Sequence, residues 1–185
     1  MRLYLDPLRS LHDNGLRRQF LIPGHLGGRH VLAIARVAEE ANRQIDGMKV
    51  CALIDSDRAE QLELKPSARI VLIEQGRTPQ HVTELLGPGT DGASCMHADG
   101  CEVSLMLHYY PEMVRPGYQK LPEAPPSHFF AAMTTGDATK NPNGAGGLPF
   151  DKASAAIGKE IADYRTNSIG DTVKRLLGDK QQAHN

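Results

Sequence analysis

Three kinds of signal are scarce in this 185-residue chain. The first is charge of one sign. The 21 basic residues are matched by 22 acidic ones, for a formal net charge of −1. A protein that grips nucleic acid through its phosphates needs a basic excess, so that class is not expected. The second is a long apolar run. No stretch reaches the roughly 18 apolar residues of a membrane-crossing helix, so no membrane span is expected. The opening "MRLYLDPLRSLHDNG" is also too polar for the apolar region of a signal peptide. The third is cysteine. Cys51, Cys95 and Cys101 form neither an even framework nor a CxxC pair. No cationic neighbour or motif lowers their pKa, so they read as small buried hydrophobes of a reduced, cytoplasmic protein.

What is present is a strand–helix alternation. The length suits one compact domain, expected over residues 1–178, with 179–185 as a frayed, flexible tail. Leu5, Leu8 and Leu11 stand at helical spacing, and Asn14-Gly15 ends that helix. "RQFLIPG" reads as a short strand closed by Pro23-Gly24. In "RHVLAIARVAEEANRQI" the apolar stripe of a helix falls on Val31, Ile34, Ala35, Val37, Ala38 and Ala41. "MKVCALI" and "ARIVLIEQG" read as further strands. "TPQHVTELLG" reads as a short helix with Pro79 in its first turn and Gly87 beyond its end. Residues 111–150 are rich in Pro and Gly and read as an irregular connection. A long closing helix is expected from "DKASAAIGKEIADYRTNSIGDTVKRLL", with Ala156, Ile157, Ile161, Tyr164, Ile169 and Val173 among its apolar positions. The order implies an α/β fold with a mainly parallel sheet.

Two stretches carry candidate chemistry. "LIPGHLGGRH" runs from a strand through a Gly-rich turn into a helix, and ligands of open α/β sheets are met at such strand ends. Its glycines, Gly24, Gly27 and Gly28, suit a plain tight turn. They equally suit an anion cradle at a helix start, where Arg29 and His30 add positive charge, and His25 suits a metal-ligating or catalytic imidazole. "HADGCEVS" opens the second stretch. Asp99-Gly100 is a turn signal, and Glu102 falls where a helix dipole favours a carboxylate with or without a function. His97 alone reads as a solvated loop histidine. His12, His81, His108, His128 and His184 are scattered and read as polar surface or core residues.

Taken together, "PGHLGG" and the later "HADGCEVSLMLHYYPEMVRP" resemble the creatininase family of metal-dependent amidohydrolases. The family has a Gly-His turn often written NGHGGN, then an HAGExETS-like segment leading into an apolar helix and a "PELV"-like end. His97, Glu102 and Ser104 keep that segment, "YPEMV" keeps its end, and "GDATKNPNGAGGLPFDKASAAIGKEI" is similar to the Gly-rich stretch before the family's last helix. Pro23 and Gly100 depart from the pattern, standing where the family has Asn and its first Glu. The N-terminal portion bearing the family's "EQHG"-like and "TD" motifs has no counterpart here. Thr90-Asp91 lies after the Gly-His turn and is not its equivalent.

The resemblance implies a three-layer α/β/α fold with a mainly parallel sheet, creatininase-like and N-terminally shortened. It implies His25 and Glu102 as metal ligands, Glu102 alternatively as close support, and His97 as the proton shuttle. The cofactor implied is a divalent metal, Zn or Mn. The activity implied is hydrolysis of a non-peptide or cyclic C–N bond in a small-molecule amide substrate. A two-metal hydrolase needs a bridging carboxylate and several ligands. The resemblance therefore implies a homo-oligomer, or a second chain that completes the site. Two other readings stay open. One is a non-catalytic shortened relative acting as an interaction module. The other is a small-molecule or anion-binding domain that uses the "GHLGGRH" turn.

Overall fold

The computed structural model describes residues 2–74, 78–86, 97–121, 126–142 and 144–178. The expected tail at 179–185, Gly87, the Thr90-Asp91 pair and Cys95 lie outside these residues. The chain divides into two compact units, Met1–Gly76 with Asn167–Asn185, and Arg77–Thr166.

The first unit runs α1 (Arg2–Asp13), β1 (Arg18–Leu21), α2 (Gly28–Gln44), β2 (Lys49–Asp55), α3 (Ser56–Gln61) and β3 (Ile70–Ile73). The three strands are parallel in the order β1-β2-β3, with Arg18 opposite Lys49 and Ala52 opposite Ile70. Strand β2 is central, and its sequence says why. Val50, Ala52, Leu53 and Ile54 are all fully buried, the continuous apolar run of a strand covered on both faces. Ile54→Ala would open a cavity there and cost about 2–5 kcal/mol.

All six residues of the α2 stripe, from Val31 to Ala41, are buried as their spacing predicts. Asn42 then fastens α2 to the sheet. Its Nδ2 donates to the Val50 carbonyl at 2.8 Å, and its Oδ1 accepts from the Val50 amide at 3.1 Å. Because β3 pairs with β2 only from Ala52 onward, Asn42 gives Val50 the two bonds a strand would otherwise supply. In α1, Leu5 and Leu8 are buried, but Leu11 is largely exposed and not part of the core. Helix α3 is an addition to the sequence reading. Asp55 closes β2 and caps α3, accepting from the Arg58 amide at 2.9 Å.

The second unit contains α4 (Gln80–Leu86), α5 (Gly100–Tyr109), α6 (Pro126–Thr135) and the first half of α7 (Ala155–Gly178). Its core joins Val82, Leu86, Cys101, Leu148, Ile157 and Ile161. The stretch expected to be irregular between 111 and 150 holds α6 and three short 3-10 turns, at Pro111–Met113, Tyr118–Lys120 and Ala138–Lys140. Ala156, expected on the apolar face of α7, is exposed, and Gly158 takes the buried place. A Cβ on Gly158 would stand 1.9 Å from the Ser104 carbonyl oxygen, so only glycine lets α7 lie this close to α5. Cys101 is fully buried and disulfide-bonded, not the reduced thiol expected; Cys51 is free, and burial pushes its thiol pKa up. No helix among the described residues is long and apolar enough to cross a membrane.

Candidate functional site

The Gly-His turn lies in the first unit, between the end of β1 and the start of α2. Pro23 is buried, whereas His25 is exposed and His30 half-buried. Gly27 is the N-cap of α2 and offers no side chain; its carbonyl accepts from the His30 and Val31 amides at 2.9 and 3.0 Å. The glycines of this turn differ in what they allow. A Cβ on Gly27 would stand 2.2 Å from His25 Nε2, so the imidazole lies on the bare face of that residue. A Cβ on Gly28 would stand 3.1 Å from Leu62 Cδ2, a tight fit under the first turn of α2. A Cβ on Gly24 would meet nothing within 4 Å. None of the three has a positive φ, so the turn uses their small size and not their conformational freedom.

Helix α3 steadies the turn. Arg58 Nε donates to the Leu26 carbonyl at 2.7 Å, while the Arg58 amide is held by Asp55. The end of β2 is thereby tied to the loop that carries His25. On the other side, the ring centres of His25 and His30 are 6.0 Å apart at 53°, and the Tyr4 ring of α1 stands 6.4 Å from His30.

The second stretch is built on one residue that the sequence reading took only as a turn signal. Asp99 is fully buried. Its Oδ1 accepts from the Cys101 and Glu102 amides at 3.0 and 3.1 Å, the N-cap of α5. Its Oδ2 accepts from the Leu148 amide at 3.1 Å. The Gly100 amide in turn donates to the Leu148 carbonyl at 2.9 Å. His97 and Gly146 exchange backbone bonds of 3.1 and 2.9 Å, an isolated antiparallel bridge. The loop 97–100 is thus sewn to 146–148, and both sides must be thin. A Cβ on Gly100 would stand 2.0 Å from the Pro149 carbonyl oxygen, and one on Gly147, at φ +146, would stand 2.3 Å from Asp99 Oδ2. Ala98 takes the left-handed conformation at φ 48. Ser104 closes the arrangement, donating to the Gly100 carbonyl at 2.6 Å and accepting from the Ser154 amide at 3.2 Å.

On this frame His97 and Glu102 are brought to one loop, both exposed. Glu102 Oε2 accepts from the Ala98 amide at 2.6 Å, so the carboxylate reaches back over the helix start in the manner of a capping box. Its other oxygen takes no hydrogen bond among the described residues and is open to a ligand. His25 belongs to the first unit, His97 and Glu102 to the second. Among the described residues no three His, Cys, Asp or Glu side chains gather as a metal cluster. A groove of about 660 Å³ in the second unit is lined by His81, Glu160 and Tyr164, and by none of the expected site residues. There His81 Nε2 and Glu160 Oε2 are 2.5 Å apart, a pair the sequence spacing does not announce.

The donors present suit a divalent ion of borderline softness. Exposed imidazoles and carboxylates are ligand types that Zn and Mn accept.

Comparison with known proteins points one way. The family model described as creatininase, creatinine amidohydrolase, matches residues 1–173. A crystal structure of creatinine amidohydrolase (creatininase) is similar to this chain with a TM-score of 0.61 at 21% identity. A tryptophan-to-alanine mutant creatininase gives the same score and identity. Each match covers 95% of this chain and 62% of the other, so this chain spans less than two thirds of the solved creatininases. The α/β architecture with its parallel sheet is therefore the creatininase fold, as the resemblance implied. No protein of curated function matches the chain in sequence.

Proposed function

Because the chain belongs to the creatininase family, we propose that it is a metal-dependent amidohydrolase for a non-peptide or cyclic C–N bond in a small-molecule amide. The observation that carries this reading is the family match over residues 1–173. The HADGCEVS loop supports it, since hydrogen bonds fix the backbone of the exposed His97 and of Asp99-Gly100 after it.

In this reading His25 and Glu102 hold the metal, Zn or Mn. A divalent ion there supplies Lewis acidity to the amide carbonyl. His97 passes a proton to the leaving nitrogen, and its backbone bridge to Gly146 fixes the main chain that carries the imidazole. Of the turn glycines, Gly24 leaves open space for substrate, while Gly27 and Gly28 make room for the His25 ring and for Leu62. Two protein ligands do not close a site, so association completes it, by a second copy or by another chain. Residues 1–178 act as one domain in a cytoplasmic setting, and the fold then has to survive reduction of the Cys101 disulfide.

The test is kinetic. His97→Ala should lower turnover of an amide substrate by roughly 10²–10⁴-fold with metal content unchanged. Loss of metal would make His97 a ligand, and unchanged turnover would remove it from the reaction. A second reading, a non-catalytic module, draws on the use of Glu102 as a helix cap. Elemental analysis separates the two, because only the first requires bound metal.

A further inference from the structure

We infer that the N-terminal end of the sheet, at Arg18, Lys49 and Arg69, is a docking surface for an acidic polypeptide segment. This surface shares no residue with the metal reading and stands or falls apart from it.

Strand register puts the three cations on one face. Arg18 and Lys49 are partners across β1 and β2, so their side chains leave the sheet on the same side. Ala52 is the partner of Ile70, which sets Cys51 beside Arg69 one step earlier. The Ala52 amide donates to the Arg69 carbonyl at 2.8 Å, so the ladder reaches that point. Cys51 follows Lys49 by two positions, and Lys49, Cys51 and Arg69 therefore share the face of Arg18. Burial pushes the Cys51 thiol pKa up, and the charge of Arg69 beside it draws it partly back. The alternate positions of β2, Val50, Ala52 and Ile54, belong to the core with α2.

These charges are not answered within the chain. Arg18 and Lys49 are exposed and Arg69 is half-buried. Among the described residues none of the three forms an ion pair with a carboxylate. Arg18 Nη1 donates to the Leu177 carbonyl at 3.5 Å, near the end of α7, where the helix dipole offsets part of its charge. Lys49 and Arg69 have no such acceptor among the described residues. Like charges opposite one another on neighbouring strands work against the sheet. A local arrangement that opposes the fold is expected where function requires it.

Spacing and surroundings select the partner. Diagonal neighbours on adjacent strands, as Lys49 and Arg69 are, stand about 7–8 Å apart. Alternate residues of an extended peptide are about 6.6 Å apart, so carboxylates at every second position can meet both cations. Phe20, Cys51 and Val71 lie half-buried on the same face beside the cations. This apolar strip suits the side chains of a polypeptide. Nucleic acid would present phosphates to it, and gripping those draws on a basic excess that a chain of net charge −1 lacks. Sequence order scatters the three cations, and only the parallel register gathers them.

The experiment is fluorescence anisotropy of a labelled peptide of alternating Glu and Leu, titrated with the full chain at low and at physiological salt. An alternating Gln-Leu peptide and an oligothymidylate serve as the other probes. The variants are Lys49→Gln, Arg69→Gln, their double and Lys49→Glu. The acidic peptide should bind, added salt should weaken it, and the neutral peptide should bind far less. An exposed charge pair is worth up to about fivefold in affinity, so each neutralisation should cost about that factor and the double about 25-fold. Lys49→Glu should abolish binding and yet unfold at the wild-type temperature or above it, because it relieves the like-charge pair with Arg18. A cation with a purely structural role would lose stability on that reversal. Unchanged peptide affinity in the Lys49 variants overturns the docking surface, as does equal binding of the Gln-Leu peptide. Tighter binding of the oligothymidylate than of the acidic peptide replaces it with a nucleic-acid surface. No binding of the acidic peptide at low salt overturns it outright.

Discussion

The turn at His25 and the loop at His97 are both Gly-rich entries into helices, yet their glycines answer to different neighbours. At Gly27 the nearest atoms are the tip of a flexible side chain, His25 Nε2. At Gly100 the nearest atom is the Pro149 carbonyl oxygen, which is backbone. A side chain can swing away and a backbone cannot. A small side chain at Gly27 is therefore met only by a movable imidazole, whereas one at Gly100 is met by fixed backbone. Asp99 marks the same contrast. It is buried and satisfies three amides, whereas the turn of His25 is held at the Leu26 carbonyl by Arg58.

The largest effect should come from Gly100→Ala. A methyl 2.0 Å from a carbonyl oxygen forces the HADG loop and the 146–149 segment apart. The expected loss is about 3 kcal/mol or more in urea unfolding. Tolerance within about 1 kcal/mol would mean that the two segments are not sewn together as described.

Asp99→Ala should follow closely. It leaves the Leu148 amide without its acceptor and removes the cap of α5, for an expected cost of about 2–4 kcal/mol. Asp99→Asn can still accept from these amides and should recover part of that loss. Gly27→Ala, the matching change in the other turn, should stay within about 1 kcal/mol of the wild type, since alanine can adopt φ −58 and only an imidazole tip must move. Equal losses at Gly27 and Gly100 would erase the distinction between the two loops.

The smallest effect concerns pH and lies away from both loops. Hydrogen bonds from Arg43 and then Gln44 hold the carboxyl of Glu40 well below the usual range, at about 2. A depressed folded pKa means stability that is fully present above the unfolded value of 4.5 and is lost as pH falls towards 2. Glu40→Gln should therefore lower stability slightly near neutrality, a difference that vanishes as pH falls towards 2. Because the carboxylate is exposed, salt should shrink even that difference.

Much of this frame could be read from the chain before folding. The α2 stripe is local periodicity, and all six of its positions are buried. The central strand announced itself as an unbroken apolar run. Helix α6 was missed because "PSHFFAAMTT" sits in a Pro/Gly-rich stretch and carries no clear polar face, so its period is weak. Helix α3 was missed because six residues are too few for a period, although Asp55 is a good cap. In the candidate site, the roles offered for His97 and Glu102 came from motif resemblance, and Glu102 as a helix-start residue came from the dipole argument. The role of Asp99 was not legible. Its decisive bond goes to Leu148, 49 positions away, and no local pattern encodes such a contact.

The central proposal is that His25 of the Gly-His turn binds a divalent metal ion. Crystals grown with Zn(II) or Mn(II) and measured at the metal's absorption edge test it most directly. The account predicts an anomalous peak within about 2.0–2.2 Å of a His25 ring nitrogen. A peak elsewhere, or none, would contradict it.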